Sequence, residues 1–506
     1  MIIPTFLSRN IHKHCLKRSD VLRPTLRFLS DQLIEQIVSE AQELLSKIGV
    51  EIHNDNVTSL LADNGARVDN EKKRVFISRD LIESCVKAAP KAFKLYDVFG
   101  EEAVDLSGYN INFVPGSASI NILDYESDRI RRPVTSDIVD FTKLMSGMQY
   151  IDSQATSIVP SDVPEKISDS YRLYLSLIHC SKPVVTGAFT IDAFNVMKDM
   201  QVAIRRSRDE LKSKPLTIFS CCPTAPLKWS NVTSQNLLDC AEYFIPVEYI
   251  SMPLTGFMAP VTLVGTLIQH TAETLSGIVI SQLANPGAPV LYGGSPSVFD
   301  IRYETTPMGD VGTMMIDCAY NEVGKHLGLP TQAYIGLSDS KQLDAQAGLE
   351  TSMGATLAAL SGINSISGPG MLDFESCFSL EKLVVDNEIC GMIQRMVQGI
   401  EPKEDFPCLP HFEEMMKEQH LLIYDHTRKY LKSEIHFPGN VINRANKARW
   451  EEEGSLTLRE RAHKEVERII EGYEAPELSE EIIMELRNLM ETEAKKHGMD
   501  RLPVSD

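Results

Sequence analysis

No CxxC pair and no zinc-finger spacing occurs among the 10 cysteines of this chain. Their absence removes the usual signatures of a zinc module or a dithiol redox site. A chain of 506 residues does not depend on disulfide staples, so reduced cysteines in a cytoplasmic setting are expected. Long apolar runs are also missing. The longest, 263–283, is broken by Gln269, His270, Glu273 and Thr274, so no bilayer span is expected. The first residues lack the apolar core and small-residue cleavage site of a secretory signal. Basic residues are outnumbered, 50 Lys and Arg against 70 Asp and Glu, for a net charge of -20. That balance disfavours nucleic acid and anionic membrane as partners, because both require a basic face. It leaves small cationic ligands open.

What the chain does have is a series of short apolar runs ending in small residues. They fall at 109–116, 154–160, 183–189, 215–222, 247–253, 289–295, 330–336 and 364–370, with helix-like segments between them. Short apolar runs bounded by turn residues read as strands buried on both faces. Eight strand–helix units predict an α/β protein, a (β/α)8 TIM barrel over 106–400, with its site at the C-terminal strand ends. A helical cap is expected over 1–105. Ser30 or Asp31 opens a helix whose Ile34, Ile37, Ala41, Leu45 and Ile48 share one face until Gly49 stops it. Prolines 402, 407 and 410 mark a linker into a charged helical extension over 401–506. The basic stretch 1–25, with Arg9, His12, Lys13, His14, Lys17, Arg18 and Arg23, reads as a solvated or subunit-wrapping arm. Arm and extension together point to a homo-oligomer.

Several barrel chemistries lack their residues. A Schiff-base aldolase needs a strand-end lysine, but Lys182 and Lys214 precede strands. A metal hydrolase needs converging His, Asp and Glu, but His179 precedes a strand and His270 and His326 sit on helices. The nearest phosphate loop, 293–296, contains Pro296, which removes an N–H donor. The strand ends carry small and aromatic residues instead, including Tyr292, Tyr334 and nearby Phe257, Phe299 and Tyr303. Small residues leave room at the mouth for a large partner. Ring faces suit a methylated ammonium, which cannot donate a hydrogen bond; the same rings would serve equally as core. A polar cluster follows the Pro330 run. In it Asp339, Asp344, Gln346 and Glu350 could hold a cation, or the aspartates could cap a helix. Arg302 could grip a carboxylate bidentately or form a surface ion pair.

The stretches 43–52, 65–68, 93–97, 300–302 and 338–350 together resemble the trimethylamine:corrinoid methyltransferase family. They resemble in particular its members without pyrrolysine, of the glycine betaine:corrinoid methyltransferase type. That family has a (β/α)8 barrel. Its trimethylamine members carry pyrrolysine near the position of Leu337, where this chain has an ordinary residue. The resemblance implies a quaternary amine donor, glycine betaine foremost, and an acceptor, Co(I), carried by a separate cognate corrinoid (cobalamin) protein. No cofactor or metal held tightly by this chain is implied. An aromatic cage drawn from Tyr96, Phe257, Tyr292 and Tyr334 would hold the trimethylammonium head. Arg302 or backbone N–H groups would hold the carboxylate. Asp339, Asp344, Gln346 and Glu350 would shape the floor or the docking edge. Two other readings stand beside it. One is a barrel that binds betaine or corrinoid protein without turnover. The other is a zinc-dependent methyltransferase for another donor, for which Cys221 and Cys222 make a poor chelate, since adjacent strand residues point opposite ways.

Overall fold

The computed structural model describes residues 22–503; the basic residues Arg9 to Arg18 lie outside them. The chain divides into two compact units. The larger comprises 25–394 and, as described, 438–503; the smaller, as described, comprises 22–24 and 395–437.

The larger unit is built on eight parallel strands. They are β1 (Asn112–Val114), β2 (Gln154–Ala155), β3 (Val184–Thr186), β4 (Thr217–Cys221), β5 (Val247–Tyr249), β6 (Val290–Leu291), β7 (Gln332–Tyr334) and β8 (Ser365–Ser367). Each lies inside one of the eight apolar runs. Strands β2 to β6 form one ladder, and β7, β8 and β1 another. Two seams join them. Between β6 and β7, Tyr292 N–H donates to the Pro330 carbonyl at 2.8 Å and Gln332 N–H to the Tyr292 carbonyl at 3.2 Å. Between β1 and β2, Asp152 N–H donates to the Phe113 carbonyl at 2.9 Å, and Ser119 bridges Ile158 further along. The cycle is a (β/α)8 barrel.

Strand alternation fills its lumen in layers. Val114, Ala155, Val185, Ile218 and Leu291 point inward and pack on Leu95, Val104 and Leu106. The last three come from the antiparallel pair Lys94–Tyr96 and Glu102–Asp105 and the residue following it. This hairpin plugs the N-terminal end, where Tyr96 N–H donates to the Pro215 carbonyl just before β4. The floor is therefore apolar and closed, and any ligand must enter from the other end.

Helix Leu263–Ala284 is buried almost all round. Helices Asp31–Lys47 and Arg79–Ala88 cover its outer side. The first of these starts at Ser30, whose Oγ accepts from Leu33 N–H, and stops before Gly49 at φ +77°. Short strands Val50–Ile52 and Arg74–Phe76 lie between them, the former parallel to Lys228–Trp229. Helix Leu458–Glu471 packs on Thr135–Gly147, and Glu480–Lys496 on Ile191–Arg205 and Ser168–His179. Beyond the C-terminal strand ends, Leu254–Thr255 pairs with Ser297–Val298. Met371–Leu372 turns back on Cys377–Phe378, which joins Asn121–Asp124. These small ladders frame the mouth.

The smaller unit contains helices Leu409–Glu418 and Asp425–Glu434, neither with a buried residue. Rings of His411, Tyr424, His426 and Tyr430 cluster within it. Among the described residues no helix is long and apolar enough to cross a membrane.

Candidate active site

Above the apolar floor the lumen turns acidic. In β5, Val247 and Tyr249 face outward, and the Tyr249 hydroxyl donates to Ser281 on helix Leu263–Ala284 at 2.8 Å. Alternation therefore aims Glu248 inward. It is wholly buried. Its Oε1 accepts from the Ser220 hydroxyl at 2.6 Å, and its Oε2 has no partner. Burial pushes its carboxyl up to about 7, against the pull of the Ser220 hydrogen bond.

A second carboxylate arrives from the hairpin after β8. Asp373, Phe374 and Glu375 are consecutive non-glycine residues at φ 50°, 56° and 70°. Left-handed backbone costs an L-residue roughly 1–2 kcal/mol, so neighbours must hold this turn. Ser340 accepts from Asp373 N–H at 2.9 Å, Lys341 Nζ lies 3.3 Å from Asp373, and its ammonium sits over the Phe374 ring. On the other side is Gly116. A Cβ there would lie 2.4 Å from Met371 Cγ and 3.2 Å from Glu375 Oε1, so only glycine admits the hairpin. Glu375 is half-buried, but its Oε1 is enclosed without a partner. Burial raises its carboxyl well above the usual range; the Ser117 backbone N–H opposes the shift and Glu248 adds to it.

Tyr334, 4% exposed, lies within reach of both carboxylates' charge, with its hydroxyl 3.4 Å from Ser117 Oγ. Its phenol is raised by burial and by both glutamates. Cys222, at the end of β4, is pushed up to about 12 by burial, then by Glu248 and Glu375. No Lys, Arg or His among the described residues compensates either glutamate. No group of three or more His, Cys, Asp and Glu able to hold a metal forms among them. What this arrangement can do chemically is attract and orient a cation.

Tyr334 lines the lumen, and buried Leu337 follows it. Phe257 is 62% exposed and stacks on Phe299 with centroids 4.9 Å apart, on the loops beyond β5 and β6. Tyr292 points outward, donating its hydroxyl to Thr271 at 2.8 Å. Tyr96 sits at the plugged end. Arg302 is bidentate to its own Asp300, at 3.0 and 2.6 Å. Asp339, Asp344, Gln346 and Glu350 form one network. Asp339 accepts from Met308 and Gly309 N–H, both at 2.9 Å, and burial lifts its carboxyl to about 6. Glu350 accepts from Ser338 Oγ, Asp339 N–H and Gln346 Nε2. Asp344 caps helix Ala345–Ser361 through Ala347 N–H at 3.0 Å. The network ties the loop after β7 to the loop after β6.

Glu248 and Glu375 were not among the sequence candidates. Glu248 had a signal: one charged residue in the middle of a strand buried on both faces. Glu375 had none, since Asp-Phe-Glu-Ser reads as an ordinary surface turn.

A closed barrel whose lumen holds two acids and a tyrosine is of the (β/α)8 class, with a site suited to a small molecule at its open end. The trimethylamine methyltransferase (MTTB) family model matches residues 9–498. The chain therefore belongs to that family and is a methyltransferase. It is 30% identical over 480 residues to the glycine betaine methyltransferase of Desulfitobacterium hafniense strain Y51, covering 94% of this chain and 99% of that protein. It is 28% identical over 472 residues to a trimethylamine methyltransferase of Desulfitobacterium hafniense strain DCB-2, covering 93% and 95%. The crystal structure of the Methanosarcina barkeri monomethylamine methyltransferase aligns with a TM-score of 0.48 at 11% identity, over 94% of this chain and 89% of that one.

Proposed function

We propose that this chain transfers a methyl group from a quaternary amine, glycine betaine foremost, to Co(I) of a separate corrinoid protein. The observation that carries the reading is the lumen: two carboxyl groups, each with an enclosed unpartnered oxygen and no compensating cation among the described residues, share it with Tyr334. A permanently charged head satisfies that field, and a ring face attracts it without requiring an N–H donor. Leu337, an ordinary buried residue, and the likeness to a protein named for glycine betaine support the quaternary donor.

In the transfer the C–N bond breaks and its electron pair stays on nitrogen, which leaves as a neutral tertiary amine. The new carbon–cobalt bond takes its pair from Co(I). No base is needed, so the chain's work is positioning. Tyr334 and the two glutamates would hold the head, Phe257 with Phe299 would wall the entrance, and Arg302 would exchange Asp300 for a substrate carboxylate. The mouth carries exposed Ile120, Phe189, Phe257, Met258, Ile301 and Tyr303. An apolar rim of this kind suits a protein carrying the acceptor. The test is to mix the chain with glycine betaine and a reduced corrinoid protein and follow the absorbance. Loss of Co(I) with gain of methyl-Co(III) supports the reading; unchanged Co(I) across a panel of quaternary amines refutes it.

A further inference from the structure

We infer that Glu248 and Glu375 together form the seat of the ammonium head, and that seating the cation drives a proton out of the lumen. The inference rests on the proposed quaternary amine donor and adds the groups that recognise it.

The two carboxylates reach the lumen from different elements. Glu248 comes from the middle of β5, and Glu375 from a turn of three left-handed residues pinned by Ser340 and Lys341 on one side and admitted by Gly116 on the other. They are close enough for the charge of Glu248 to act on Glu375, and both act on Tyr334 and Cys222. Each keeps one buried oxygen without a partner. Buried polar atoms are nearly always paired. Two enclosed carboxylate oxygens without a partner in one lumen suit a positive group. Ser220 and Ser117 supply neutral hydrogen bonds only.

The proton follows from electrostatics. Two enclosed carboxylates that feel each other's charge cannot both be ionised cheaply without a cation beside them. The other titratable groups that feel them are Cys222 and Cys221 from β4 and its end, Tyr334 from β7 and Tyr320 from helix Val311–His326. Burial raises every one, so none carries charge near neutral pH. The empty site is therefore neutralised by protons on the glutamates. A quaternary ammonium cannot be deprotonated and has no proton to share. Its arrival favours the ionised carboxylates, and a proton leaves. Affinity then rises with pH through the range in which the glutamates ionise, by up to roughly tenfold per unit for each proton released, and levels off once both are ionised without the cation.

Calorimetry on the full chain tests this with tetramethylammonium and glycine betaine, in phosphate and in Tris at the same pH. Tetramethylammonium isolates the head from the carboxylate. The neutral-headed isostere 3,3-dimethylbutanoate serves as the control. The expected result is a binding heat that differs between buffers for both cations and not for the isostere. Glu248→Gln and Glu375→Gln should each weaken tetramethylammonium binding tenfold or more and flatten its pH dependence, with circular dichroism unchanged. Equal heats in both buffers, or wild-type affinity in both variants, overturn the inference. If methyl transfer proceeds while these variants bind normally, the seat is wrong and the proposed reaction stands. If tetramethylammonium binds with proton release but no quaternary amine is demethylated, the seat stands and the reaction falls.

Discussion

Replacing Glu248 by Gln should make the protein more tolerant of alkaline conditions. The side chain keeps its shape and still faces the Ser220 hydroxyl, but it can no longer ionise. In the folded chain burial raises the Glu248 carboxyl from 4.5 to about 7. A carboxyl raised on folding contributes its stability below the ordinary carboxylate range and loses it as pH rises through the folded value. With one unit worth about 1.4 kcal/mol, the wild type should lose about 2 kcal/mol through this group between about pH 5.5 and about pH 8. The variant should lack that share and keep whatever Glu375 contributes in the same direction. Urea midpoints of both proteins at the two pH values give the comparison, because the difference in pH dependence isolates one side chain. Parallel pH dependence in the two proteins would refute the assignment of a buried, uncompensated carboxylate to the lumen. So would a wild type that gains stability relative to the variant as pH rises.

Other changes test the parts that shape the mouth. Gly116→Ala places a Cβ 2.4 Å from Met371 Cγ, which should displace the Glu375 hairpin, cost about 1–3 kcal/mol and abolish methyl transfer; an active, equally stable variant would contradict the close approach. Asp339→Asn leaves one acceptor for two N–H groups, at Met308 and Gly309. It should cost about 1–3 kcal/mol and speed hydrogen exchange at those two amides, and unchanged exchange would argue against the tie. The buried pair Lys382–Asp386 anchors helix Leu380–Val397 to the loop after β8, where Asp386 accepts from Gly370 N–H at 2.7 Å. Lys382→Met strands that carboxylate and should cost about 3–5 kcal/mol, seen as a lowered denaturant midpoint; a neutral effect would show the pair is dispensable.

The barrel was legible because each strand is a compact apolar run with a small-residue ending, and burial on both faces leaves no other use for such runs. The lumen was only half legible. Choosing residues by their place at a strand end ignores direction. Leu291 packs on the floor, so Tyr292 must turn to the helices, and the same counting turns Tyr334 inward with Gln332. Applied to Val247-Glu248-Tyr249, it would have put a glutamate in the lumen. Tyr96 sits among residues that look like any short strand, and only the tertiary fold shows that this hairpin stoppers the far end of the barrel. Glu375 could not have been found this way. Its position depends on a left-handed turn of three ordinary residues, held by Ser340, Lys341 and the space above Gly116. None of these is near it in the chain except through the closure of β7, β8 and β1.

The most direct test of the account is to identify both products of one reaction. Glycine betaine carrying labelled methyl groups is incubated with the chain and a reduced corrinoid protein, and the mixture is analysed by mass spectrometry. Dimethylglycine and labelled methyl-corrinoid are expected in equal amounts, each dependent on the other. Dimethylglycine without a labelled corrinoid, or neither product from any quaternary amine that occupies the lumen, would contradict the proposed reaction.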